Sequence, residues 1–220
     1  MGQANYVSVN TERCEMTERG RPRSFDRAAA LQRAMEVFWA KGFDGASMTD
    51  LTAAMGINSP SLYAAFGSKE ALFEEAVTLY GASEGTEIWG ALDEASTARQ
   101  AIEWFLHRSA MSFSRPGKPA GCLIVLGALH EGKGNEKACE GLRQRRSETV
   151  GDLRARLERA TREGELADGL DLDAIAMFYA TVQHGMSLQA RDGADRQTLL
   201  AIAECALAAW EALTGSTSER

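Results

Sequence analysis

The sequence SMTDLTAAMGINSPSLYAAFGSKE, residues 47–70, decides the fold. Ser47 precedes Asp50 by three residues, the spacing of a capping box in which each side chain satisfies a free N–H group at a helix start. Gly56 follows a short amphipathic run, at a position where a left-handed glycine commonly ends a helix. Asn58 then supplies a good cap for the next helix. The stretch therefore predicts two short helices joined by a tight turn.

The second of these helices, predicted over residues 59–66, has a surface suited to DNA. Leu62 and Phe66 are four residues apart and form its buried face. Its other side chains are short or hydrogen-bonding and carry no charge. In a helix-turn-helix, the N-terminal residues of the second helix meet base edges, where Ser and Asn can donate and accept hydrogen bonds. Helical spacing alone is also consistent with an ordinary hairpin in an all-α core, but the caps and the uncharged face favour DNA binding.

A longer stretch around these helices, residues 20–80, resembles the DNA-binding domain of the tetracycline-repressor (TetR) family of bacterial transcription regulators. The first helix and the entry to the second carry FDRAAALQRAMEVFWAKGFDGASMTDL, and AMGINSPSLYAAFGSKEALFEEAV follows. The spacing matches without a break from Phe38 to Leu72, and beyond Tyr80 the similarity is only compositional. The resemblance implies a three-helix unit, and its core is expected to contain Phe38, Trp39, Phe43, Leu51, Leu62 and Phe66.

The resemblance also implies which side chains contact DNA. Tyr63 and Lys69 match phosphate-contacting positions, and Ser47 matches a phosphate contact at a helix start. Lys69 is itself predicted to begin a helix, where free N–H groups favour a phosphate. The other predicted contacts face the groove or lie beside it, and they are Thr49, Asn58, Ser59, Ser61 and Ala64. Many family members carry a larger side chain at the position of Ala64, so the operator sequence cannot be read from this helix.

A basic arm, RGRPR at residues 19–23, precedes the first helix. Arginines on an extended arm can enter a narrow minor groove, where the negative potential is deepest. We therefore predict that Arg21 and Arg23 contact the minor groove or phosphate. The alternative is a solvated leader, which we predict for residues 1–18. That leader lacks the hydrophobic segment of a signal peptide, and Met16 is an alternative start residue.

The charge distribution agrees with binding at a single DNA site. The formal net charge is −7, which argues against a protein that coats nucleic acid. Residues 1–70 hold eight basic and eight acidic side chains, whereas residues 71–220 hold 16 basic and 23 acidic ones. Between Arg13 and Arg33 there are six arginines and three acids. An acidic body with a basic arm suits a regulator that must not coat the chromosome.

Several other classes of protein find no support in the sequence. No run of 18 apolar residues predicts a membrane span, and neither the cysteines nor the histidines have the spacing of a metal site. We predict no metal, no cofactor and no membrane partner, and a cytoplasmic location with reduced thiols. A redox role for Cys122 would require a lowered thiol pKa. No catalytic motif is present, so we do not expect an enzyme. The alternative is an all-α ligand-binding protein or enzyme that has kept the fold without operator binding.

The remainder of the chain is predicted to be helical, which makes the fold class all-α with about nine helices. A helix-turn-helix domain over residues 19–70 would precede an effector-binding and dimerisation domain over 71–214 and a disordered tail over 215–220. We expect one helix to continue to about Trp89, and a last helix over about 195–213. The final two helices carry more apolar surface than one core-facing stripe requires. The resemblance implies a homodimer through these helices, and packing within one chain is the alternative.

A pocket for an unknown small-molecule effector is also implied by the resemblance. Such sites are mostly apolar clefts with a few orienting polar groups. Aromatic, methionine and polar side chains of this kind lie on the helices that would line the pocket. The predicted ligand contacts are Trp104, Phe105, Arg108, Met111, Met177, Phe178, Gln183 and His184. Packing in the core is the alternative for each of these side chains.

Overall fold

The computed structural model describes residues 25–215, which form an all-helical fold, as predicted. Its helices are α1 (Arg27–Gly45), α2 (Met48–Met55), α3 (Ser59–Phe66), α4 (Lys69–Ser83), α5 (Thr86–Glu94), α6 (Ala98–Phe113), α7 (Leu123–Leu126), α8 (Glu136–Arg162), α9 (Leu172–Arg191), α10 (Arg196–Leu207) and α11 (Trp210–Thr214). Nine of these have eight residues or more, and α7 and α11 are single turns. Among residues 25–215, no helix is long and apolar enough to cross a membrane. The predicted contacts Arg21 and Arg23 lie outside the described residues, as do the leader and residues 216–220.

The helix-turn-helix forms for the reasons that the sequence indicates. The Ser47 hydroxyl accepts from the Asp50 backbone N–H, and the Asp50 carboxylate accepts from the Ser47 N–H, both at 3.0 Å. Gly56 ends α2 in the left-handed region, at φ 69°. Asn58 caps α3 by accepting from the Ser61 N–H at 2.9 Å. The bounds of α3 agree with the predicted range.

Two predicted helices are divided in the structure. The helix expected to reach Trp89 ends at Ser83, and α5 begins two residues after Glu84. Glu84 is buried and bonds to Arg115 at 2.7 Å, and glycine follows it in the sequence, which weakens the helix there. The last predicted helix is similarly divided into α10 and α11, with Trp210 buried at the second start.

A single hydrophobic cluster extends from Ala30 in α1 to Trp210 in α11. At its N-terminal end, the Phe38 and Phe43 rings each meet the Phe73 ring edge-on, with centroids 5.0 and 5.1 Å apart. The predicted core of the three-helix unit is confirmed, because all six side chains are buried: Phe38, Trp39, Phe43, Leu51, Leu62 and Phe66. The same cluster therefore supports both the three-helix unit and the remaining helices.

The end of α1 is joined to α7 at a break in the helix. Gly42 has φ 72° and ψ 174°, a conformation that essentially only glycine adopts. Beyond this break, the Phe43 N–H donates to the Gly127 carbonyl at 2.7 Å instead of continuing the helical ladder. The Trp39 carbonyl, which would accept from Phe43 in a regular helix, thereby loses its usual donor.

Arg191, the last residue of α9, supplies the missing donor. Its guanidinium donates to the Trp39 carbonyl at 2.8 Å and to the Ala40 carbonyl at 3.0 Å. It also donates to the Ala120 carbonyl at 3.0 Å. One side chain therefore fastens α1 and the segment before α7 to the end of α9.

Candidate nucleic-acid interface and ligand pocket

The exposed face of α3 carries most of the side chains that we predicted to face the groove. Asn58, Ser59 and Ala64 are exposed, whereas Ser61 is half-buried. The Asn58 side-chain oxygen is used in capping α3, which leaves its amide N–H groups as donors. Tyr63 is among the exposed large side chains of the described residues. The arrangement offers DNA several neutral hydrogen-bonding groups on a short, firmly anchored helix.

The start of α2 is more constrained than its sequence suggests. The Ser47 hydroxyl donates to Asp50 at 2.7 Å, and Lys41 bonds to the same carboxylate at 2.6 Å. The hydrogen bonds from Lys41 and Ser47 hold the pKa of Asp50 well below its usual value. A phosphate contact through the Ser47 hydroxyl would have to replace a bond within this capping box. Thr49, by contrast, is exposed.

Lys69 begins α4 and is held in place by an aromatic ring. Its ammonium lies 4.4 Å from the centroid of the Phe43 ring, within the range of a cation–π contact. Burial lowers the pKa of Lys69, while Asp44 and Glu70 act in the opposite direction. The charge is therefore positioned at a helix N-terminus, directly after the turn that ends α3.

Two arginines beside α2 and α3 were absent from the predicted contacts. Arg27 bonds to Glu75 at 2.7 Å and lies 4.3 Å from the centroid of the Phe66 ring, so it fastens the start of α1 to the end of α3. Arg33 is exposed, and its Nη1 lies 3.7 Å from the position that a β-carbon would take at Gly56. The excess of arginine before residue 34 could have directed attention to Arg33.

Two of the predicted pocket residues, Gln183 and His184, line one cavity among the described residues. Gln183 and His184 border a space of about 10 Å³, which has room for about one water molecule. Burial, followed by repulsion from Arg146, lowers the pKa of His184 and favours its neutral form. The other lining residues come from α4, α5, α7, the residue before α7, and α8, and they include Tyr80, Ile88, Trp89, Cys122, Val125 and Thr149.

Three predicted pocket residues face outward in this chain. Met111, Met177 and Phe178 have 45, 54 and 36% of their surface exposed. None of these three side chains lines the cavity beside His184. Their apolar surface is instead available to solvent or to a partner.

Of the remaining three predicted pocket residues, Phe105 and Arg108 contact α5, and Trp104 lies beneath the Arg108 guanidinium. Phe105 is fully buried, and its ring centroid lies 5.5 Å from that of Trp89. Arg108 lies over the Trp104 ring at 5.1 Å and bonds to Glu94 at 2.7 Å. Ligand contact by these residues stays a prediction.

The environment of Cys122 does not favour the redox interpretation. The thiol is buried beside Tyr80, and burial raises the pKa of Cys122 although nearby hydrogen bonds oppose the shift. A raised thiol pKa lowers the fraction of reactive thiolate. Of the other cysteines, Cys139 is buried, Cys205 is exposed and Cys14 lies outside the described residues.

Comparison with known proteins agrees with the helix-turn-helix geometry. The model of the family described as "Bacterial regulatory proteins, tetR family" matches residues 30–76. The HTH-type transcriptional repressor BdcR of Escherichia coli K12 is 32% identical over 188 residues, covering 85% of this chain and 90% of BdcR. This chain belongs to the TetR family. Family membership applies to nearly the whole chain, because the match extends well beyond the DNA-binding unit.

Other TetR family proteins support the same assignment. The HTH-type transcriptional repressor ComR of Escherichia coli K12 is 29% identical over 94% of this chain and 99% of ComR. A cysteine mutant of the TetR family regulator CifR, solved with 26-bp double-strand operator DNA, is 46% identical. The two structures have a TM-score of 0.83, covering 86% of this chain and 100% of the CifR chain. These relatives are transcriptional regulators, and two of them are repressors.

Proposed function

We propose that this TetR family protein is a transcriptional repressor that binds a palindromic operator as a homodimer and is released by a small-molecule effector. The main support is the α2–α3 unit, whose exposed second helix carries neutral hydrogen-bonding side chains beside the fixed charge of Lys69. The operator complex of CifR, at 46% identity, supports the same use of this unit. We do not propose a catalytic activity.

The proposed DNA contacts divide into phosphate and groove contacts. Tyr63 and Lys69 are at opposite sides of the turn after α3, where both can reach one phosphate backbone. Base readout is assigned to Asn58, Ser59 and Ser61, since the N-terminal part of a recognition helix meets base edges. The arm residues Arg21 and Arg23, together with Ser47, Thr49 and Ala64, complete the proposed contacts. Phosphate contacts fix the position of the protein, and the few groove contacts give specificity.

The proposed dimer uses the exposed faces of α9 and α10. Met177, Phe178 and Leu188 leave 54, 36 and 47% of their surface exposed on α9. Small exposed residues on α10 and just after it, Ala201 and Ala208, would allow close helix approach. A twofold dimer also matches a palindromic operator, whose half-sites are about 34–36 Å apart.

Release by an effector requires that the ligand bind two states of the dimer with different affinity. The cavity beside Gln183 and His184 reaches Tyr80 of α4, which is the helix that follows the reading helix. A ligand that enlarges this cavity would therefore push on the segment that carries Lys69. A coupling free energy of about 1–3 kcal/mol would change operator affinity about 5- to 150-fold.

The first experiment is selection of genomic fragments from the source organism by the purified, ligand-free protein at physiological salt, followed by sequencing. A few sharp peaks over a shared inverted repeat are expected. Binding without preferred sites, abolished by moderate salt, would contradict operator recognition by the free protein. Sedimentation of the complex on the recovered site then measures whether two chains bind together.

A double variant tests the assigned phosphate contacts on the recovered operator. Tyr63→Ala with Lys69→Ala should weaken binding and reduce the slope of log affinity against log salt by about 1.8 for the two lysines of a dimer. Lys133→Ala is the control, since it removes one exposed charge from the loop before α8. Unchanged operator binding by the folded double variant would overturn the phosphate assignment.

A further inference from the structure

A second cleft lies between α5 and the C-terminal half of α8, and it shares Trp89 with the cavity beside His184. Its volume is about 330 Å³, within the usual range of small-molecule sites. One part of the lining is basic and comes from Arg156, Arg159 and Arg162. None of these residues belongs to the proposed operator surface or to the predicted effector pocket.

Arg156 is the unusual member of this lining. Only 2% of its side chain is exposed, and none of its three guanidinium nitrogens makes a hydrogen bond within the described residues. The nearest carboxylate, that of Glu165, lies 3.8 Å from Nη2, which is an ion pair without a hydrogen bond. Burial, followed by repulsion from Arg159, lowers the pKa of Arg156. Such a group costs free energy in the fold unless an acceptor satisfies it.

The other two arginines extend the basic wall along one face of α8. Arg159 and Arg162 follow Arg156 at intervals of three residues, a spacing that places neighbours on one side of a helix. The Arg159 Nε is also buried without a hydrogen bond, at 3.9 Å from a Glu163 oxygen. Three arginines therefore line the cleft, and two of them have buried guanidinium nitrogens without a hydrogen bond in the part of the chain that the structure describes.

The rest of the cleft is acidic and apolar. Asp93 and Asp152 also line it, and burial together with repulsion from Glu148 and Asp93 raises the pKa of Asp152. These carboxylates favour a ligand that carries a positive group in addition to a negative one. Trp89 and Leu92 add an apolar surface from α5.

We propose that this cleft binds a small amino carboxylate, with its carboxylate against Arg156 and its ammonium group toward Asp93 and Asp152. A guanidinium group can bind a carboxylate through two parallel N–H donors, which would satisfy the buried nitrogens. An aliphatic side chain on the ligand would contact Trp89 and Leu92. This binding site goes beyond the proposed repressor function and does not depend on DNA binding.

The test is calorimetric titration of the full-length, DNA-free protein with three related probes. L-leucine carries both charged groups, 4-methylpentanoate lacks the ammonium, and 3-methylbutylamine lacks the carboxylate. L-leucine should bind at least about tenfold more tightly than either of the other probes. Absence of L-leucine binding at concentrations up to about 20 mM, or equal binding by the amine, would overturn the proposal.

Variants show whether the cleft itself is responsible. Arg156→Met should lose at least about tenfold in L-leucine affinity while remaining folded, because it replaces an unsatisfied buried charge with an apolar chain of similar length. Arg162→Gln, at an exposed position, provides a second variant with little risk to folding and should also weaken binding. Arg154→Met is the matched control, since Arg154 is exposed on α8 and bonded to Glu158 at 3.1 Å. L-leucine affinity unchanged by Arg156→Met would place the ligand elsewhere.

Discussion

Replacing Arg191 with lysine should weaken the joint between α1 and α9 while keeping the positive charge at the end of α9. Arg191 donates to the carbonyls of Trp39, Ala40 and Ala120 at 2.8–3.0 Å. A lysine carries a single ammonium nitrogen, which cannot replace a planar fork that reaches three acceptors. The favourable interaction of a cation with the C-terminal end of the helix dipole would remain. The substitution therefore isolates the hydrogen bonds from the charge.

The expected loss of stability depends on how far each of these three hydrogen bonds is buried. The bonds to Trp39 and Ala120 are partly buried, whereas the bond to Ala40 is exposed and contributes little. A buried hydrogen bond to a charged group contributes about 1.5–3 kcal/mol, and lysine can keep at most one of the two. We expect Arg191→Lys to lower the free energy of unfolding by about 2 kcal/mol. Arg191→Ala should cost about 3–4 kcal/mol, because both partly buried carbonyls lose their donor.

Urea unfolding followed by far-UV circular dichroism measures this loss of stability. The dependence of the unfolding free energy on urea concentration should be similar for the variant and the unsubstituted protein. Arg154→Lys is the control, because Arg154 is an exposed arginine whose ion pairs contribute little to stability. Its free energy of unfolding should change by no more than about 0.5 kcal/mol. If Arg191→Lys lowered the free energy of unfolding by no more than this control does, the joint between α1 and α9 would not depend on the guanidinium group of Arg191.

Two further predictions concern the same joint and the cavity behind it. Gly42→Ala places a β-carbon 3.0 Å from the Gly127 carbonyl oxygen, at φ 72°. The melting temperature of this variant should fall further than that of Gly164→Ala, because Gly164 has φ 78° but open space around it. Equal falls in melting temperature would contradict the role of the close contact. Because burial lowers the pKa of His184, the unfolded chain binds more protons below about pH 6.5, and stability should fall from about pH 7 to about pH 5. In chemical unfolding at several pH values, His184→Gln should reduce the slope of unfolding free energy against pH by up to about 1.4 kcal/mol per pH unit. The control His130→Gln, at an exposed position, should leave that slope unchanged. If His184→Gln and the unsubstituted protein had the same slope, His184 would not be buried in its neutral form.

The features that the sequence predicted well are those that depend on residues close together in the chain. The capping box of Ser47 and the left-handed turn at Gly56 both depend on hydrogen bonds between residues no more than four apart. The bounds of α3 could be predicted from these two features. Burial of Phe38 and its neighbours was also predicted, because helical spacing and the family resemblance agree at those positions.

The features that the sequence did not predict depend on distant partners. The break at Gly42 depends on a carbonyl 85 residues later, at Gly127, and the division before α5 depends on Arg115 reaching Glu84. The predicted ligand contacts stay a prediction, since a buried aromatic such as Phe105 has the same residue type whether it packs or lines a pocket. The unsatisfied burial of Arg156 likewise arises only when other elements of the fold pack around α8.

The joint at the end of α1 has a consequence for building hybrid regulators from this protein. A three-helix unit (α1–α3) transplanted from a relative would bring its own α1, and that helix would have to be interrupted at the position of Gly42. The recipient would also have to offer a carbonyl at the position of Gly127 and an arginine fork at the position of Arg191. Recognition specificity is therefore better exchanged by substituting single side chains on α3 than by cutting the chain between α3 and α4.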